Sequence, residues 1–179
     1  MVTVVHGWIK ERKSDGREKV YASLQLITAL EQYTLDVAQL VADLDDAEFE
    51  ASQEHDYAPF AKIKQVRYEP PSDVDWRWIG AKEIQDVLSL PNKIKYMKAE
   101  LNSMNEWADP FQMSDFDGAE SSALALQAWE TAARIRKSAR LPKADYSIGK
   151  WKFLETLTQR RDDRIARMAE AEKKGGNDI

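Results

Sequence analysis

The sequence predicts an all-α fold: an antiparallel bundle of about four amphipathic helices, the second kinked or broken near Pro91, with a long crossover at residues 57–80. Three observations lead there. Apolar residues recur at steps of three and four along extended stretches of the chain. Pro59, Pro70, Pro71, Pro110, Gly118 and Pro142 fall between those stretches. The 179 residues are one domain's worth, enough to bury roughly 70% of the extended chain's surface without the disulfides that Cys 0 forbids.

Residues 1–18 read as a flexible or partly ordered segment, 19–172 as a single bundle domain and 173–179 as a disordered tail. The first helix is expected from about Lys19 to Asp45, where Leu24, Ile27, Leu30, Leu35, Val37, Val41 and Leu44 keep helical spacing with no internal Gly or Pro. The following DDAEFEASQEHD has helical propensity, but its like charges repel at three and four residues' distance. A frayed end or a solvated extension is therefore expected. Pro59 stops it, and residues 60–71 read as a short helix or an extended strap, the strap being favoured near Pro70 and Pro71 because the residue before each proline is pushed toward extended geometry.

The second helix is expected over Ala81–Trp107, striped by Ile84, Val87, Leu88, Ile94, Met97, Leu101, Met104 and Trp107 and disturbed at Pro91. ADPFQMSDFDG then reads as a connection, and the Asp117/Glu120 spacing as the capping box of a third helix ending near Arg140. The fourth is expected over Lys150–Lys174, with Trp151, Leu154, Leu157, Ile165 and Met168 apolar. In an up-down-up-down arrangement each helix would run against its predecessor.

Charge is divided along the chain, although the net value is only -5. Glu31 to Asp56 contains nine carboxylates and no Lys or Arg, whereas Arg134 to Lys174 contains thirteen Lys or Arg against six acids. The acidic run, with Asp43, Asp45 and Asp46 at its centre, lacks the glycine and the spacing of a calcium loop. It reads as a solvated face, and the basic cluster Arg160, Arg161, Arg164 and Arg167 as a patch for phosphate groups or for that acidic run. The two runs would meet by folding back within the chain or by pairing with a second copy. A further basic cluster, Lys10, Arg12, Lys13, Arg17 and Lys19, suits lipid headgroups, diluted by Glu11, Asp15 and Glu18.

The pair Trp76 and Trp78 reads either as a plug that fastens the crossover to one end of the bundle or as an aromatic anchor for a partner. In an extended segment the two indoles would share a side. His6 and His55 lack metal-ligand spacing, and His55 beside Glu54 lies in a stretch too charged to hold a catalytic geometry. Ser147 and Lys150 match S-x-x-K without its companion motifs, so Asp145 or Ser147 is read as a helix start instead.

These readings give a non-enzymatic helical interaction or structural module with no catalytic residue, cofactor or metal assigned. Its expected partner is another protein or a second copy. Nucleic acid bound through Arg160–Arg167, and an enzyme with a dispersed site, are the alternatives. A cytoplasmic location is expected, or else the soluble part of a membrane-anchored protein near a membrane surface; no run of about eighteen apolar residues spans a bilayer.

Overall fold

A computed structural model describes residues 3–146 and 150–175, and the described residues form four α-helices and two 3₁₀ turns. The helices are α1 (Thr3–Glu54), α2 (Ala81–Met104), α3 (Pro110–Ser138) and α4 (Phe153–Gly175). α3 is the hub, antiparallel to each of the other three. Thr34, Glu31 and Glu48 of α1 bond Ala125, Arg136 and Ser114 of α3 in reversed order. On α2, Lys93 reaches Gln127 and Arg134 pairs with Glu83. On α4, Arg160 lies against Gly118 and Phe153 against Trp129.

The four helices thus pack as the antiparallel bundle that the sequence predicts, each of α1, α2 and α4 against α3; α1, α2 and α4 all run the same way, so the helices do not alternate up-down-up-down along the chain. The physical reason is the crossover. It does not turn the chain around but carries it back along the bundle, so that α2 starts at the same end as α1. Along the way Phe60 meets Phe111, the Lys98 ammonium donates to the Val66 carbonyl at 2.7 Å, and the Tyr68 ring stands edge-on to Tyr33 at 5.5 Å. Tyr68, Val74 and Ile79 are buried there in the main core, so the strap supplies the apolar contacts of the seam between two parallel helices.

α1 is longer than expected at both ends. Leu26, Leu30, Tyr33, Val37, Leu40, Leu44, Ala47 and Ala51 are all buried at alternating steps of four and three. The acidic stretch continues the helix because its inward positions are alanines, while Asp45 and Glu48 meet an arginine of α4. The helix takes in residues from Thr3 onward, and the side chains of Lys10, Arg12 and Lys13 lie outside the described set.

Pro91 sits inside an uninterrupted α2, so of the two expected forms the helix takes the continuous one. Proline costs it the bond to the Val87 carbonyl, while Val87 and Leu90 remain buried. α3 starts eight residues before the expected Gly118. Asp109 accepts from the Gln112 amide at 2.8 Å, the Gln112 side chain accepts from the Asp109 amide, and Pro110 occupies the first turn. Proline here begins a helix, and Asp117, expected as a cap, lies in the helix interior.

Some expected core residues face outward: Leu24, Leu88, Trp107, Trp151, Ile165 and Met168 are exposed, and Trp107 and Trp151 fall outside the helices altogether. Residues 176–179 of the expected tail lie outside the described residues, as does Ser147.

Candidate binding cleft and the charge clusters

The carboxyl end of α3 closes with two backbone bonds. The Leu141 amide donates to the Arg136 carbonyl at 2.9 Å and the Arg140 amide to the Lys137 carbonyl at 3.2 Å. This is a Schellman closure, which requires a left-handed residue after the helix, usually glycine. Here the residue is Arg140, with φ of 57°. His55, exposed after α1, is the other described non-glycine residue with positive φ.

Beyond that closure the chain folds back over α1. Glu31 is only 3% exposed, and Arg136 grips it with two donors, each at 2.8 Å. The Tyr146 hydroxyl donates to the same carboxylate at 2.7 Å. Burial first, and then this bond to Glu31, push the Tyr146 hydroxyl pKa upward. Trp129 packs against Tyr146 and Phe153 at 5.8 and 5.4 Å, forming an aromatic wall.

Beside them lies a half-open cleft of about 770 Å³. Trp129, Ala133, Leu141 and Ala144 give it apolar walls; Arg134, Arg136, Lys137, Arg140 and Lys143 bring cations. Glu31 is the carboxylate in its lining. Sequence reading missed this site because its parts come from α1, α3 and the following loop. One signal was present: Glu31 falls on the buried line of Ile27, Thr34, Ala38 and Val41, where a carboxylate needs a partner.

The residues singled out in the sequence are placed elsewhere. Arg160 pairs with Glu48 at 2.5 Å and Asp45 at 3.2 Å, and Ser114 donates to the same Glu48 at 2.7 Å. Gly118 makes room for it, since a Cβ there would stand 2.8 Å from the Arg160 Nε. Arg164 bonds Asp115 and lies 4.8 Å over the Phe116 ring, and Arg167 also pairs with Asp115. Arg161 pairs with its neighbour Asp162. Of the acids, Asp43 accepts from Gln39 on the exposed side of α1, and Asp46 is exposed.

Trp76 and Trp78 form a 3₁₀ turn rather than an extended segment, because the Asp75 side chain accepts from the Arg77 amide and starts it. Bonds from Arg77 hold the Asp75 carboxyl down at about 2. Both indoles are half-buried against the main core, where the strap turns into α2.

A third feature is an open groove of about 400 Å³ between α2 and α3, walled by Tyr96, Met97, Phe116 and Leu124 together with Lys93, Glu100 and Glu120. Among the described residues, no group of His, Asp and Glu is arranged to hold a metal ion, and no helix is long and apolar enough to cross a membrane. No protein-family model matches the chain, and neither a curated protein nor a solved structure matches it.

Proposed function

We propose that this chain is a non-enzymatic helical interaction module that associates with a second copy of itself through the outer flank of α4 and the groove between α2 and α3. One observation carries the reading: the second half of α4 leaves large apolar side chains in solvent while its arginines are paired within the bundle. Arg160 and Arg164 lie on the bundle side, while Ile165 and Met168 are 58% and 53% exposed. Such side chains on adjacent turns of a helix suit burial against another molecule.

The groove extends that surface. Arg164 touches Phe116 and Glu120, and both residues also line the groove, so the α4 flank and the groove share a border. Tyr96, on the opposite wall, is 73% exposed. A two-fold contact would bring each copy's patch onto its twin, the simplest closed assembly.

Charge supports this apolar route over the electrostatic one. Arg160, Arg164 and Arg167 have carboxylate partners within their own chain, which takes them away from a second copy's acidic run and from phosphate alike. The cavity beside Glu31 supports recognition over proton transfer, since guanidinium groups stay protonated and Glu31 is clamped by three donors.

Sedimentation velocity over a range of concentrations tests the proposal. A monomer–dimer equilibrium is expected that Ile165→Glu and Met168→Glu shift to monomer with unchanged helicity. Added salt should weaken the wild-type dimer little, because the contact is apolar. A wild-type chain that stays monomeric throughout, or a dimer indifferent to both substitutions, sinks it.

A further inference from the structure

The cleft at the end of α3 carries the strongest inference. We infer that it is a binding site for an organic anion, with a phosphate or carboxylate head and an apolar, flat body. It lies away from the α4 flank and does not depend on self-association.

The first argument is charge without a partner. Arg136 is spent on Glu31, and Arg134 on Glu83 and Asp86. Lys137, Arg140 and Lys143 line the same cleft from its exposed side, and among the described residues none of their side chains forms an ion pair. Glu31 adds little repulsion, because Arg136 and Tyr146 already hold both its oxygens.

The carbonyl end of a helix attracts cations, and that accounts for Lys137 in the last turn. It accounts less well for Arg140 and Lys143. They lie beyond the cap, and the amides of Arg140 and Leu141 already satisfy the carbonyls of Lys137 and Arg136.

Arg140 supplies the second argument. Its left-handed backbone is a conformation that glycine adopts freely and a residue with a Cβ adopts at a cost. A long cation held there at a conformational cost, with its side chain on the cavity, is an outlier that points to use. The planar fork of a guanidinium fits two oxygens of a phosphate or carboxylate at once, and two flanking ammonium groups add charge without a fixed direction.

The body of the ligand follows from the remaining walls. Trp129 offers a ring face braced by Tyr146 and Phe153, with Leu141, Ala133 and Ala144 around it. The volume, about 770 Å³, lies within the range of cavities that enclose small organic molecules. A bare inorganic ion would leave those walls unused.

The test is calorimetric titration of the full chain with 1-naphthyl phosphate, alongside inorganic phosphate, neutral 1-naphthol, and vesicles of phosphatidylcholine with and without phosphatidylserine. Saturable binding of 1-naphthyl phosphate, tighter than that of either half-molecule, is expected and assigns the site to a soluble anion. Saturable binding to the phosphatidylserine vesicles alone, lost in the variants below, keeps the same cations and assigns the head group to a lipid.

Arg140→Gly is the decisive variant, because glycine relieves the backbone while it removes the charge. It should bind about tenfold more weakly, with a thermal midpoint equal to or above that of the parent. Lys143→Ala should weaken binding without unfolding the chain. Absence of saturable binding in every arm, or binding that Arg140→Gly and Lys143→Ala leave unchanged, overturns the inference.

Discussion

Two basic clusters in this chain have opposite fates. On α4, Arg160 and Arg164 face the bundle and, with the more exposed Arg167, are matched by Glu48, Asp45 and Asp115. Around the end of α3, Lys137, Arg140 and Lys143 face a cavity with no carboxylate partner among the described residues. In the sequence the α4 cluster stands out and the α3 cluster does not. The difference teaches that charge density along a chain says little about availability, which depends on what the neighbouring helices present.

Matched and unmatched cations should respond differently to truncation, and the largest effect is expected at Glu31. Arg136→Ala would leave a carboxylate that is 3% exposed with the Tyr146 hydroxyl alone. Breaking a buried pair from one side strands the other charge, so a loss of about 3 kcal/mol is expected in urea unfolding. Lys137→Ala, on the same helix end, should change stability by less than about 0.5 kcal/mol. Equal effects at the two positions would erase the contrast.

The α4 cluster gives the next effects. Arg160→Ala removes the guanidinium that Glu48 and Asp45 share, with a cost of about 2 kcal/mol, moderated because both acids retain some contact with water. Gly118→Ala probes the same contact from α3. Alanine is the better helix former by about 1 kcal/mol, but its Cβ would meet the middle of the Arg160 side chain, which the two acids hold in place. A net loss of about 1 kcal/mol is expected. In the Arg160→Ala background the same change should become stabilising, and a double-mutant cycle reads that reversal directly.

How much of this was legible in the sequence depended on how local each feature is. The stripes of α1 and α2, the strap and the division of charge follow from neighbours a few residues apart. Pro110 was misread as a break because a proline at the first turn of a helix looks the same as one in a connection. Direction was also hidden: an extended return strap and a tight reversal use similar residues, and the choice between them set which arginine meets which acid. The cleft joins Glu31 to Arg136 and Tyr146, more than a hundred residues away, and only the fold brings them together. The glycine-free closure at Arg140 carries no local sign of its geometry.

Asp117 sharpens the comparison from a third side, as a carboxylate that the fold buries without a clamp. It lies on α3 between the two clusters, accepts from Ser121 at 3.0 Å, and feels Lys98 of α2 only through space, with Tyr33 of α1 nearby. Burial outweighs Ser121 and Lys98 and raises its pKa above the usual carboxylate value. The folded chain therefore holds this proton more tightly than the unfolded chain. As pH falls from neutral through the raised value toward the ordinary one, protonation of Asp117 should add stability, opposite to the effect of clamped carboxylates. Asp117→Asn keeps an oxygen for Ser121 and removes the charge, so it should be more stable than the parent at neutral pH. Its advantage should shrink as the solution is acidified through that window, when the parent's own carboxyl becomes neutral. Urea unfolding of both proteins between pH 7 and the ordinary carboxylate range of about 4 measures it. An advantage that grows on acidification would show that Lys98 acts as a true partner, and Asp117 would then join the matched group.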